Sequence, residues 1–152
     1  MITVAIITRR LKEGKTYEDF RKAWYHTVGF GTPSILRTMI NVSDPREITV
    51  MGFIETDPGG FEAEANIDVS QRLANPLDDV IELDIDRRFG ILLSEDDFSA
   101  EGGIEYKPPA IGGKETDLKE FMDQLQHVAG VIAATAKKRD AAKGAENTSE
   151  SG

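Results

Sequence analysis

The beginning of the chain changes from a continuous apolar run to a helical spacing of apolar residues. Residues 2–8 are apolar and β-branched almost throughout, which predicts a strand buried on both faces. After a charged segment, Thr16 offers a helix N-cap with Asp19 three residues later. From Tyr17 onward the apolar positions return every three or four residues. This spacing predicts an amphipathic helix that ends near Gly29.

The next segments predict a hairpin and a second helix. Residues 34–42 and 47–55 are rich in β-branched and apolar side chains. Between them, Asp44 and Pro45 favour a turn, because proline fixes φ and aspartate can bond the following backbone. Good helix formers at 61–73, followed by a proline, then predict a helix.

Two interpretations fit the segment that follows. Residues 80–86 largely alternate apolar and acidic side chains, and residues 88–94 are again typical of a strand. Either both are strands, or the first is an irregular edge segment that leads into a final strand at 89–93. We favour the second interpretation, because Glu95 and the two aspartates after it end that strand.

Glycine and proline pairs mark a linker over residues 99–116. Asp117 then offers an N-cap, and apolar residues recur at alternating intervals of four and three along 117–143. This pattern predicts an amphipathic helix in need of a partner surface. Residues 144–152 are small and polar, which predicts a disordered tail.

The predicted order of elements over residues 1–98 is β-α-β-β-α-β. This order defines an α+β fold of the ferredoxin-like type, an antiparallel sheet with both helices on one face. Its uncovered face would expose apolar strand residues, and such a patch usually marks an interface. We therefore expect a homodimer that pairs two sheets face to face, with the C-terminal helix on the sheet edge or on the partner.

Composition narrows the possible functions. The chain has 152 residues and no cysteine, which excludes disulfide scaffolds and thiolate metal sites and fits the cytoplasm. Its 27 acidic and 18 basic residues give a net charge of −9, which disfavours nucleic acid and anionic lipid as partners. No apolar run reaches the roughly 20 residues of a membrane span, and no basic segment precedes the first apolar run. We expect neither membrane insertion nor a signal peptide.

The chemistry candidates cluster around the end of the first helix. His26 can act as a base toward a phenol or enol, or simply complement the helix C-terminus. Trp24 and Tyr25 offer an aromatic wall and a hydrogen-bond donor, although Trp24 also fits the buried stripe of the helix. Arg37 and Asn41 alternate along a predicted strand, so they can point into a cavity, with Arg37 as an anion clamp, or point to solvent.

No cofactor or metal ion is expected. The acidic residues of 78–97 lack the spacing of a calcium loop and are better explained as a solvated face. The glycines near residues 29 and 112 lack the partners that dinucleotide and phosphate loops require. His127 has no chemical partner nearby in the sequence and is interpreted as structural.

The pattern resembles the dimeric α/β-barrel superfamily, which includes antibiotic-biosynthesis monooxygenases, EthD-type proteins and stress-responsive barrel proteins. The resemblance rests on segments 2–8, 16–26 and 95–98. Phe20 and Trp24 match a Phe–Trp pair of EthD-type helices, although Val28 stands where those helices carry histidine. The resemblance implies a homodimeric barrel and cofactor-independent oxygenation, or a related rearrangement, of a hydrophobic aromatic compound. The alternative is a non-catalytic binding or stress-related assembly protein. A cavity of about 300 Å³ or more would favour a ligand.

Overall fold

The computed structural model describes residues 1–25, 28–57, 59–74, 77–111, 114–115 and 117–151. It is an α+β architecture with a curled antiparallel sheet, consistent with a ferredoxin-like fold. In chain order the elements are β1 (Ile2–Leu11), α1 (Tyr17–Trp24), β2 (Ser34–Asn41), β3 (Asp44–Glu55), α2 (Phe61–Ala74), β4 (Ile81–Ile91), β5 (Ala110–Ile111), β6 (Lys114–Glu115) and α3 (Leu118–Glu150).

The main sheet has four strands in the order β2-β3-β1-β4, and every neighbouring pair is antiparallel. β5 and β6 form a separate two-stranded ribbon within the predicted linker. Because β1 lies between β3 and β4, its side chains alternate between two well-defined faces. We call the face that carries Thr3, Ala5, Ile7 and Arg9 the inner face, since α2 and α3 lie over it. The opposite face is the outer face.

The first helix begins as predicted and ends earlier. The Thr16 hydroxyl accepts from the Asp19 backbone N–H at 3.2 Å, and the Asp19 carboxylate accepts from the Thr16 N–H at 2.8 Å. These two bonds complete a capping box. α1 ends at Trp24 rather than near Gly29, because Tyr25 already has the extended ψ of 127°.

The hairpin turn lies two residues before the predicted position. Val42 and Ser43 form the turn, and Asp44 and Pro45 already belong to β3. The Asp44 carboxylate forms an ion pair with Arg10 on β1, which holds it in the sheet. Pro45 lies beside a register shift in the β2–β3 pairing, where a missing N–H is tolerated.

The favoured interpretation of residues 80–86 as an irregular segment was wrong. Residues 81–91 form one edge strand, β4, paired with β1. The irregularity survives as two register shifts, which fall between Thr8 and Arg9 and between Arg9 and Leu11. β4 continues through both shifts as one strand. The alternating acidic and apolar segment and the arginines that follow it therefore belong to the same element.

The last helix starts as predicted and runs further. The Asp117 carboxylate accepts from the Lys119 N–H at 2.7 Å and caps α3. The helix then continues to Glu150, through the segment predicted as a disordered tail. Alanine and glutamate there are good helix formers, and the Thr148 hydroxyl donates to the Ala145 carbonyl at 2.8 Å.

The core joins α1 to the inner face of the sheet. Phe20 is 1% exposed and packs with Leu11, Ile48 and Val50. A second buried group, formed by residues of α2 and α3, includes Phe61, Phe121 and Val128. Thus α1 closes one part of the inner face, while α2 and α3 cover another. None of the described helices is long and apolar enough to cross a membrane.

Candidate functional site

A cavity of about 90 Å³ lies between the inner face and the helices. We call it the inner cavity. Its floor is apolar and comes from the strands, and its roof comes from α2 and α3. The floor includes Ala5, Ile7, Val50, Gly52, Ile54 and Phe89, and the roof includes Phe61, Ala65, Ile132 and Ala136. Gly52 widens the floor, because a side chain there would point toward Leu36 on the neighbouring strand.

A larger open groove of about 910 Å³ lies between α1, the loop 28–33 and β2. We call it the outer groove. Trp24, Phe30 and Leu36 line both the groove and the inner cavity, so they form the wall between the two. The inner cavity is smaller than the roughly 300–1,000 Å³ of a usual ligand site, whereas the groove falls within that range. A molecule that enters the inner cavity would therefore extend into it from the groove, past the shared wall.

Trp24 is held in place from two sides. Its ring stacks on Phe20 with ring centroids 6.1 Å apart, and the Arg72 guanidinium lies 5.9 Å from the centroid of the Trp24 ring. Arg72 also donates from Nη2 to the Trp24 carbonyl at 2.5 Å. The next residue, Tyr25, is 62% exposed and lines the groove. The structure thus brings these two predicted site residues together.

The other predicted site residues lie elsewhere. Arg37 is on the outer face, with its guanidinium 5.9 Å from the centroid of the Phe53 ring. Asn41 ends β2, where its amide donates to Glu47 at 3.0 Å and its carbonyl accepts from the Ser43 N–H at 2.9 Å. The sheet separates both residues from the inner cavity. His26, the predicted base, lies outside the described residues.

The sequence analysis missed a buried carboxyl group in the inner cavity. Glu64 on α2 is only 8% exposed, and its Oε2 has no hydrogen-bond partner among the described residues. Burial raises the pKa of this carboxyl, a hydrogen bond from Thr56 opposes the rise, and the charge of Asp57 adds to it. A carboxyl with a raised pKa at an apolar wall is suited to exchange a proton with a bound molecule.

Arginines form the other polar feature that the sequence analysis missed. Arg9 is 4% exposed on the inner face, and burial lowers its pKa to about 10, with Asp68 opposing and Arg139 reinforcing this shift. The Arg139 Nη2 donates to the Asp68 carboxylate at 2.5 Å. The available signal was the alternation of β1: Arg9 follows Thr3, Ala5 and Ile7 on the same face.

Within the described part of the chain, no group of three histidine, aspartate or glutamate side chains is arranged to hold a metal ion. Glu64 and the buried arginines offer proton transfer and ion pairing.

We expect Glu64→Gln to stabilise the protein by about 1 kcal/mol near pH 8, because it removes a charge from an apolar wall. The folded-state pKa of Glu64 is raised, so the wild type loses stability as pH rises through that pKa. Below the unfolded pKa of about 4.3 the two proteins should be equally stable. Urea unfolding across this range measures the difference. The exposed Glu62→Gln on the same helix serves as control and should show a flat profile; a less stable Glu64→Gln at pH 8 would refute the assignment.

A solved structure of an antibiotic biosynthesis monooxygenase-like protein from Chloroflexus aurantiacus J-10-fl is similar to this chain. The match covers 65% of this chain and 100% of that chain, with a TM-score of 0.49 and 9% sequence identity. No protein-family model matches the chain, and no curated protein matches it.

Proposed function

We propose that this protein binds a small, largely apolar molecule in the outer groove and the inner cavity. The observation that carries the proposal is the cavity wall, in which apolar side chains surround two buried ionisable residues, Glu64 and Arg9. Apolar walls with a few placed polar groups are the usual form of a small-molecule site. Burying a charge costs free energy. Ionisable side chains in an apolar wall are therefore better explained by a bound molecule than by stability alone.

Trp24 provides the test, because it is the single tryptophan of the chain and lines both spaces. We expect a saturable change in its fluorescence on titration with a neutral aromatic alcohol, 4-phenylbutan-1-ol. Ala5→Ile fills the floor of the inner cavity and should weaken binding about tenfold or more, since overpacking costs about 1–3 kcal/mol.

Val4→Ile is the matched control for this titration. It places the same isoleucine side chain at the neighbouring residue, which lies on the outer face. This variant should bind like the wild type. Equal affinity of the wild type and Ala5→Ile, or no fluorescence change at all, would overturn the proposal.

A catalytic role is the second candidate, and Glu64 is the observation that favours it. The superfamily resemblance of the sequence implies cofactor-independent oxygenation of an aromatic compound. In that reaction the Glu64 carboxylate removes a proton from an acidic CH₂ group of the substrate. The resulting carbanion reduces dioxygen, the co-substrate, to a hydroperoxide that then loses water. The balance is one CH₂ and one O₂ converted to one C=O and one H₂O.

Oxygen uptake with an anthrone, an aromatic ketone with an acidic CH₂, tests this candidate. We expect uptake by the wild type and its loss in Glu64→Gln. Loss in His26→Ala with full activity in Glu64→Gln would assign the base to His26 instead. Binding without any uptake would leave the non-catalytic binding protein that the sequence analysis gave as the alternative.

We also propose that two copies pair through their outer faces, in a cytoplasmic homodimer of the dimeric-barrel type. The support is the outer face itself: Ile6 on β1 and Ile35 and Met39 on β2 are between 36% and 58% exposed, on either side of β3. In the extended segment after β4, Phe98 and Tyr106 are 74% and 83% exposed. A second copy that covers the sheet would remove these apolar groups from water.

A further inference from the structure

The inner cavity has a basic end. Arg9, Arg87 and Arg139 line it, and the same three arginines line an adjoining cavity of about 70 Å³ beneath α2 and the later part of α3. Arg72 and Lys143 complete the wall of this second space. We call the four arginines the arginine cluster. It lies toward β4 in the sheet, whereas the outer groove lies beside β2 at the opposite edge.

The described carboxylates near the arginine cluster are few. Asp68 pairs with Arg139 at 2.5 Å and also interacts with the charges of the other three arginines. Asp140 acts on Arg87 from α3. Asp78 and Lys143 both line the second space, and Glu64 lines the inner cavity. The chain as a whole carries a net charge of −9. Around the arginine cluster, by contrast, the basic side chains outnumber the described carboxylates.

The arginine cluster contains buried N–H donors that have no acceptor among the described residues. The Nε and Nη1 atoms of Arg72 and the Nε atom of Arg139 are buried, and none of them has a hydrogen-bond partner among the described residues. A buried donor without an acceptor costs free energy, and a charged donor costs more than a neutral one. An acceptor of negative charge placed among these atoms would recover that cost. The planar fork of a guanidinium matches the two oxygens of a carboxylate.

We propose that the arginine cluster binds the carboxylate of a ligand whose apolar body occupies the inner cavity and reaches toward the outer groove. The inference rests on the proposed function, since it names the class of molecule that the site takes: an aromatic or alkyl carboxylic acid. The alternative is that the arginines serve only to join α2 to α3 through Asp68. If the arginines bind a carboxylate, a charged ligand should bind more tightly than an uncharged ligand of similar shape. If they only join α2 to α3, the two ligands should bind equally.

The test compares two probes of equal length, 4-phenylbutyrate and 4-phenylbutan-1-ol, through the fluorescence of Trp24. We expect the acid to bind at least about tenfold more tightly than the alcohol, as charge-assisted hydrogen bonds provide. Arg139→Met should remove this preference, which is measured as the ratio of the two affinities in that variant. Lys138→Met is the matched control: it removes the same charge from the neighbouring position, where the side chain is exposed and pairs with Glu62.

The outcomes separate the two proposals. If the alcohol binds and the acid has no advantage, the arginine-cluster proposal is wrong and the proposed function stands. If neither probe binds, both proposals are wrong. Should Arg139→Met not fold, Arg139→Lys keeps the charge and loses the planar fork, and it should reduce the preference for the acid several-fold. An unchanged preference in a folded Arg139 variant would overturn the inference.

Discussion

Asp68→Asn is expected to lower the free energy of unfolding by about 3 kcal/mol, because removing one partner of a buried ion pair leaves the other charge uncompensated. Asp68 faces Arg9, Arg72, Arg87 and Arg139, and its side chain is only 27% exposed. Its loss therefore affects several guanidinium groups at once. Urea unfolding followed by circular dichroism measures the change in free energy.

The control for this variant is Glu62→Gln. Glu62 also joins α2 to α3, through Lys138 at 3.4 Å, but both side chains are more than half exposed. Exposed ion pairs contribute about 0–1 kcal/mol, so the control should change stability by less than about 0.5 kcal/mol. If Asp68→Asn and Glu62→Gln are equally mild, then Asp68 does not compensate the arginine cluster in the folded protein.

Phe20→Ala is expected to destabilise the protein by about 3–4 kcal/mol, the usual cost of emptying a buried aromatic site. Phe20 is 1% exposed, belongs to the main core and supports Trp24 by stacking. The same denaturation experiment measures the loss. In the folded fraction, the fluorescence of Trp24 should also shift toward that of a solvated indole, since its support is removed.

Tyr17→Ala is the matched control for Phe20→Ala. Tyr17 lies on the same helix with its ring centroid 6.5 Å from that of Phe20, but it is 42% exposed. Its truncation should cost about 1 kcal/mol or less. Equal losses in the two variants would mean that α1 does not pack through Phe20, and the position of Trp24 at the cavity wall would lose its basis.

The helices and the general class of the fold could be predicted because their signals are local. A capping box at Thr16 and Asp19 and an N-cap at Asp117 lie within single turns, and apolar spacing then extends each helix. The end of α3 was placed too early because residues 144–150 are small and polar, and the helix continues through them from the preceding turns, where adding a residue is easier than starting a helix. The hairpin was misplaced because Arg10, 34 residues away, holds Asp44 in the sheet.

The buried ionisable residues of the cavity were harder to predict, because their burial depends on which face of the sheet the helices cover. Alternation along β1 places Arg9 with Ala5 and Ile7, yet nothing local shows that Asp68 and Arg139 close over that face. Glu64 likewise resembles an ordinary solvent-facing helix residue until the cavity is seen. Trp24 and Tyr25 were singled out because aromatic residues at a helix end are conspicuous, and both line the outer groove. Their role in binding stays a prediction. Arg37 was placed on a strand correctly, but its face could not be assigned from alternation alone.

Native mass spectrometry of gently purified protein tests the ligand site and the pairing of the outer faces in one experiment. It measures the number of subunits and any small molecule that remains bound. We expect a dimer in which each copy carries up to one small molecule, with a carboxylic acid favoured by the arginine cluster. A monomer with no bound molecule, and with no mass increase when 4-phenylbutyrate is added, would contradict both the paired outer faces and the ligand site.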